Sequence, residues 1–292
     1  MVNVLVAGQA VLDFIFEVEE IPSKPEKYRA REAQIVGGGC AANAAVAVAR
    51  LGGAAHFAGR VGDDEIGRLI AEGLRAEGVN TNNLAQVKAG RSSYSAVHID
   101  PAGERQIVNL RGAGLCDPTD WTLPPLSAVL ADTRWDAGAL AAFALARAVG
   151  IPAVLDGEAP VSPALAEAAT HVVFSLQGIR DFCGTDELDT ALRAASRQLP
   201  GWVAVTDGAA GVYHLEGGAL VHSPAFAVDV VDTLGAGDVW HGAFTLALAE
   251  GQSERDAICF ASATAALKCT VSGGRAGTPD RARVTQFLED TP

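Results

Sequence analysis

Along the chain, short apolar runs alternate with stretches whose apolar residues recur every three or four positions. The run VNVLVAG at 2–8 carries no charge and closes on Gly8, the mark of a strand buried on both faces. After Gly39, AANAAVAVARLGG has a helical period that stops at Gly52 and Gly53. HFAGRVGDD then reads as strand and turn, and EIGRLIAEGLRAEGV as a helix with Gly78 near its end. The rhythm continues through a strand over Ala128 to Trp135, helix AGALAAFALARAVG, strand IPAVLDG, helix SPALAEAAT and strand HVVFS. Helix DELDTALRAASRQLP and strand WVAVTDG follow, then VDVVDTLGAGDVWHGAFTLALAE at 228–250, in which strand-like residues run into a helix, and a final helix pair. Apolar strands alternating with amphipathic helices predict an α/β fold with a central, mostly parallel sheet sandwiched by helices.

Two segments break the rhythm. Residues 11–36 alternate with period two and carry proline and charge where a helix would be expected, and residues 92–111 read as a hairpin turning at Asp100-Pro101-Ala102-Gly103. Both are half-polar, so each has one wet face; they predict a small β-sheet lid inserted on the α/β body and able to cover a cleft.

Composition narrows the class. The 292 residues are 49% apolar and 20% charged, ordinary for a soluble globular chain with ample core. A net charge of −13 argues against a broad nucleic-acid or anionic-membrane footprint, so any bound anion needs a local pocket. MVNVLVAGQA lacks a basic n-region, and no apolar run reaches the roughly 20 residues of a membrane span. Cys40, Cys116, Cys183, Cys259 and Cys269 are odd in number and lack a CxxC pair, which fits reduced thiols in a cytoplasm better than zinc. The six histidines, at 56, 98, 171, 214, 222 and 241, lack ligand spacing and read as structural.

Phosphate-binding schemes can be tested in turn. No Gly-Lys dipeptide exists, which excludes a Walker A loop, and the protein-kinase motifs are missing. Gly37, Gly39 and Ala42 match G-x-G-x-x-A, yet a dinucleotide fingerprint belongs at the first βα turn, here Gly8-Gln9-Ala10. That leaves DTLGAGD. Small residues at a helix N-terminus aim several N–H groups at one spot, with the helix dipole behind them, and so form an anion hole. A carboxylate directly after it would repel a resident phosphate unless its task is to take a proton from an attacking hydroxyl. Gly235, Ala236, Gly237 and Asp238 thus fit a phosphoryl-transfer station. They fit an Asp N-cap after a glycine turn as well.

Asp232 to Asp238 also resembles the C-terminal signature of ribokinase-like (PfkB) carbohydrate kinases, and Gly38-Gly39 with Asn43 resembles the N-terminal one. Gly8 to Asp13, VGDDEIG at 61–67 and Thr206-Asp207-Gly208 match further, in the expected order along nearly the whole chain. The resemblance implies a single ribokinase-like domain over 1–292, with lid strands from about 11–36 and 92–111, acting as an ATP-dependent sugar kinase with Mg²⁺ and forming a homodimer through the lid. It makes Asp238 the catalytic base and Gly235, Ala236 and Gly237 the anion hole. Asp13, Gly38, Gly39 and Asn43 become sugar-binding positions, and Thr206 and Gly208 ATP contacts. Asp232 and the backbone at Leu234 fall at a monovalent-cation site, K⁺ being the candidate. Simpler roles exist for some of these: a turn for the glycines, a strand end for Thr206, a helix cap for Asn43. One departure is that the family's Asn-x-x-Glu, which organises Mg²⁺, is replaced by Ser175 and Gly178 in FSLQGIRDFCG.

Within the family, the stretches around Lys27, Asn109 and Arg134, with VLDGE at 154–158 and ALKCTVSGGRAGTPD at 266–280, look closest to 6-deoxy-6-sulfofructose kinases. In that subgroup Lys27, Asn109 and Arg134 would hold the sulfonate, arginine giving directional donors and lysine a point charge. Solvated surface charge is the alternative for Lys27 and Arg134. Fructose 6-phosphate, ribose and fructose stay open as substrates, as do an inactive sugar-binding homologue and an NAD-dependent oxidoreductase. Arg275 is left without a role.

Overall fold

The computed structural model describes residues 1–291. The chain opens with strands β1 (Asn3–Ala7), β2 (Val11–Val18) and β3 (Ala30–Gly38), helix α1 (Cys40–Arg50), β4 (Ala54–Gly62), α2 (Glu65–Ala76) and β5 (Asn80–Val87). Next come β6 (Tyr94–Ile99), β7 (Arg105–Leu110), β8 (Ala128–Ala131), α3 (Asp136–Val149), β9 (Ala153–Gly157), α4 (Pro163–Ala168) and β10 (His171–Ser175). It closes with α5 (Leu176–Cys183), α6 (Leu188–Gln198), β11 (Trp202–Thr206), β12 (Val212–Glu216), β13 (Ala219–Ser223), α7 (Ala236–Ala249), α8 (Glu254–Cys269) and α9 (Arg281–Asp290).

Nine strands form one sheet in the order β13-β12-β11-β10-β9-β8-β1-β4-β5, and β3-β2-β6-β7 form a second. The large sheet is parallel from β5 to β11; β12 and β13 finish it antiparallel. Alternation along β1 sorts the core. Val4 and Val6 pack with α1, α2, α7, α8 and α9, and Leu5 and Ala7 pack with α3, α4, α5 and α6. Helices on both faces explain why the central strands read as unbroken apolar runs. The parallel strands end together at one edge of the sheet, so Gly8, Asp132, Asp156, Ser175 and Thr206 fall along the carboxyl ends where α/β proteins bind ligands.

The small sheet is the expected lid, and its strands come from both segments that broke the rhythm. It is mixed: β2 runs parallel to β6, while β3 and β7 pair antiparallel. The β6–β7 turn is tied at Asp100, whose amide donates to Glu104 O (3.2 Å) and whose Oδ1 accepts from Ala102 N (2.9 Å) and Glu104 N (3.0 Å).

Several expectations are corrected. Val228 to Asp232 form no strand: β13 already occupies the sheet edge, Val230 and Val231 are exposed, and the amides of Val231 and Asp232 both donate to Cys269 O. The strand expected through Trp135 stops at Ala131, where Asp132 turns its carboxylate to backbone amides, which puts Arg134 on a loop. The final helix pair is present as α8 and α9, the latter capped by Asp280. The reading also passed over four elements. β5 is a polar edge strand, α5 is only two turns long, and the β12–β13 hairpin turns at Gly217-Gly218, both with positive φ.

Candidate active site

The GAGD segment sits at the N-terminus of α7. Gly235 is its N-cap with φ +75°, a left-handed conformation that costs glycine nothing, and an added Cβ would lie 3.2 Å from Asn43 Nδ2. The amide of Ala236 turns back to Thr233 O (3.2 Å), so the expectation that all three small residues offer free amides is corrected: Ala236 does not. The amides of Gly235, Gly237 and Asp238 have no acceptor among the described residues, as the first turn of a helix requires.

Asp238 lies in that first turn, and Asn43 Nδ2 donates to its Oδ2 at 2.7 Å across 195 positions of sequence. Small residues make this reach possible. A Cβ on Gly242 would come within 2.5 Å of Ala44 O, so glycine there lets α1 and α7 touch backbone to backbone and brings Asn43 alongside Asp238. Asn43 Oδ1 is buried without a partner among the described residues. Burial raises the Asp238 carboxyl above its usual range, the Asn43 amide and the Cys40 thiol work against that, and the charge of Glu158 adds to it.

The lid delivers Asp13. In its sheet, Val36, Asp13, Ser95 and Asn109 are successive cross-strand partners and share one face. Asn109 Nδ2 donates to Ser95 Oγ (3.0 Å) and, at 3.4 Å, to Tyr94 O. A Cβ on Gly38 would meet Asp13 Oδ2 at 2.2 Å, so only glycine lets β3 pass Asp13. Gly39, φ +94°, begins α1 against Gln9 O, which a Cβ would meet at 2.6 Å. Burial raises the Asp13 carboxyl, opposed by Ser95 and by the charge of Arg275. Asp13, Gly38, Gly39, Asn43 and Asp238 are thereby brought together.

Four acidic or thiol groups that the sequence reading did not single out complete the cluster. Asp132, 2% exposed, accepts from the amides of Gln9 (2.8 Å), Arg134 (2.9 Å) and Ala41 (3.2 Å). The ligand atoms of Cys40, Asp156 and Asp238 lie within 4.8 Å of one another. Burial, then the charges of Asp238, Glu158 and Asp132, push the Asp156 carboxyl up to about 7 against the pull of His241. His241 Nε2 is 3.5 Å from Asp156 and 3.1 Å from Val173 O, while Nδ1 faces Gly237 O at 2.8 Å. The signal for the two aspartates was present: AVLAD and AVLD are buried strand runs closed by an acid at the sheet's carboxyl edge.

The remaining expected positions are more scattered. Arg134 is held by Glu158 (2.9 Å) and Ala159 O (3.0 Å), so its charge is met within the chain, and Glu158 also accepts from Cys40 Sγ (3.4 Å). Lys27 is exposed in the β2–β3 connection, with no hydrogen bond or ion pair tying it to Asn109 or Arg134. Thr206 ends β11, its hydroxyl 3.4 Å from Phe174 O, and Gly208, φ +48°, starts the turn beyond it. Ser175 caps α5, accepting from Gly178 N (3.0 Å), and a Cβ on Gly178 would sit 1.9 Å from Gly157 O. The glutamate of Asn-x-x-Glu therefore has no room here. Asp232 accepts from the amides of Leu234, Gly273 and Gly274 and from Arg105. Arg275, left without a role above, packs its guanidinium against Gly37, where a Cβ would collide with it.

The pfkB family of carbohydrate kinases matches residues 1–281. A ribokinase of Bacillus subtilis is 30% identical over 295 residues, covering 99% of this chain and all of the relative. A candidate ribokinase from Agrobacterium tumefaciens superimposes with a TM-score of 0.92 at 38% identity, covering 99% of this chain and 97% of that one. The Arabidopsis thaliana ribokinase solved with ribose and ATP superimposes with a TM-score of 0.84 at 25% identity, over 99% and 98% of the two chains.

Proposed function

This chain belongs to the pfkB family of carbohydrate kinases and is a phosphotransferase that uses ATP on a sugar hydroxyl; from that premise we propose which residues act and on what. The observation that carries the proposal is Asp238, desolvated, hydrogen-bonded to Asn43, and placed one residue beyond the open amides of Gly235 and Gly237.

Asp238 accepts the proton of a primary hydroxyl as the sugar oxygen bonds to the γ-phosphorus and the bond to the bridging oxygen of ADP breaks. The amides of Gly235, Gly237 and Asp238 stabilise charge on the migrating phosphoryl group. Ala236 shapes the turn without donating. Asp13, the backbone at Gly38 and Gly39, and Asn43 hold the sugar, and the orphaned Asn43 Oδ1 is an acceptor that a sugar hydroxyl satisfies. Thr206 and Gly208 contact the ATP phosphates at the sheet edge. Mg²⁺ entering with ATP would have Asp156 as its carboxylate partner in this cluster, Asp238 being kept for the proton, whereas burial keeps the Cys40 thiol protonated and unsuited to a hard cation. When bound with ATP it supplies countercharge to the phosphates.

For the sugar we favour an anionic ketose, 6-deoxy-6-sulfofructose phosphorylated at its 1-hydroxyl. What supports this is the likeness of the stretches around Lys27, Asn109 and Arg134 to sulfofructose kinases, with Asn109 on the same lid face as Asp13. A neutral ribose or fructose is the second reading, favoured by the Arg134–Glu158 pair, which already neutralises the guanidinium. ADP release with sulfofructose, fructose 6-phosphate, fructose and ribose decides between them. The first reading expects the highest kcat/KM on sulfofructose, with Arg134→Ala raising KM for anionic sugars more than for neutral ones. Equal effects on both classes would reject the anionic pocket. Asp238→Asn should lower kcat by a factor of ~100 or more on whichever sugar is used; near-normal turnover would reject Asp238 as base. We also propose a cytoplasmic homodimer joined through the lid.

A further inference from the structure

Lys268, the penultimate residue of α8, is completely buried, although lysine is among the residues least often found so. Its Nζ donates to the backbone carbonyl of Asp232 at 2.7 Å and lies 3.6 Å from the same residue's carboxylate. Asp232, with the backbone at Leu234, is where the sequence suggests a monovalent cation. Such a cation needs several free oxygens, and those of Asp232 are taken. Oδ1 of Asp232 accepts from Leu234 N (2.8 Å) and Arg105 (3.2 Å), and Oδ2 from Gly274 N (3.0 Å) and Gly273 N (3.1 Å). Four N–H groups converge on the carboxylate and an ammonium on the carbonyl, so Asp232 offers no free oxygen to an exchangeable K⁺.

We infer that Lys268 carries a built-in cation: its ammonium occupies the place of a dissociable monovalent ion and makes the enzyme independent of K⁺. Three features support this. The ammonium lies at the C-terminal end of α8, where a positive charge offsets the helix dipole. Asp232 begins the turn that runs through Leu234 to Gly235 and Asp238, so a charge fixed on its carbonyl sets the direction of the amides that meet the phosphate. The segment is also pinned from α8, through Cys269 O to the amides of Val231 and Asp232. Burial lowers the lysine's proton affinity while the Asp232 charge works to hold the proton. Lys268 touches no reacting atom; it is a positioning residue. The inference rests on the phosphoryl-transfer reading of the 235–238 turn.

The test compares the unaltered chain with Lys268→Ala and Lys268→Met in tetramethylammonium chloride, replaced stepwise by KCl or NH₄Cl at constant ionic strength. ADP release and the thermal unfolding midpoint are both read. The unaltered chain should change rate by less than about twofold, and its midpoint should not follow K⁺. Lys268→Ala opens a cavity with a free carbonyl. It should lose activity by about 10-fold or more and regain it with K⁺ or NH₄⁺, its midpoint rising with the same ions. Lys268→Met, which fills the space with an apolar chain, should stay impaired in every salt. Strong stimulation of the unaltered chain by K⁺ overturns the inference, as does an alanine variant whose rate and midpoint ignore these cations. If the alanine variant folds only with K⁺ or NH₄⁺ present, the inference stands; if it folds in no salt, the titration of the unaltered chain decides. The midpoint needs neither sugar nor ATP. A protein that phosphorylates no sugar yet shows the cation-dependent midpoint in Lys268→Ala would therefore refute the kinase reading, and with it the effect on catalysis, while the ammonium's replacement of a cation at Asp232 would stand.

Discussion

At the scale of single residues, the site is a concentration of carboxyls held in place by amides. Asp132, Asp156 and Asp238 come from three elements, and Asn43 and three backbone amides keep two of them oriented. Asp156 has a consequence for stability. Its folded carboxyl stays protonated up to about 7, whereas in the unfolded chain it ionises near ~3.9. Between those values the folded state binds more protons, so this group's contribution to stability is full at low pH and is lost as pH rises. Asn cannot ionise. The unfolding midpoint of Asp156→Asn, relative to the unaltered chain, should accordingly rise from about pH 4 to about pH 7 and level off above; parallel pH profiles would show that Asp156 is already ionised in the fold.

Among the elements, close contacts assign each glycine its task. Gly242 lets α7 lie on α1, Gly38 lets β3 pass Asp13, and Gly178 lets α5 begin against the end of β9. The last explains the missing Asn-x-x-Glu in steric terms: the Gly157 carbonyl fills the space a side chain would need. Gly178→Ala should destabilise the fold by about 1–3 kcal/mol through overpacking, measured by denaturant unfolding. A variant as stable as the parent would mean that α5 shifts freely, and would remove this explanation. Strand and helix periodicity made most of the α/β elements legible. It missed β5 and α5, whose polar or short sequences carry weak periods, and it misread 228–232, where valines next to an aspartate imitate a strand but meet no free sheet edge.

Across the whole molecule, exposed apolar side chains occur on α3 and at Val230 and Val231 as well as on the lid, where two of them share one row of a sheet. Ile35 and Val108 lie in one cross-strand row, 60% and 62% exposed, on the face opposite Asp13. A second lid covering that row is the contact we propose for the dimer. Sedimentation should give a dimer for the unaltered chain and a monomer for a variant combining Ile35→Glu with Val108→Glu, since buried charge is costly at such a contact. A monomer in both would sink it. Arg105 reaches from the lid to Asp232, so the lid is also tied to the loop that Lys268 holds.

What the sequence determined by itself is the alternation of buried strands and helices, the polar lid segments, and the glycine-acid signatures at 38–43 and 232–238, because period, backbone freedom and residue chemistry are local properties. Only the tertiary structure decided that Asn43 meets Asp238, that Asp132 and Asp156 close on the same spot, that Ala236 spends its amide within the turn, and that a lysine from α8 sits on Asp232. Those are contacts between residues far apart in the chain, brought together by the sheet order and by how closely two helices can approach. No local pattern encodes them.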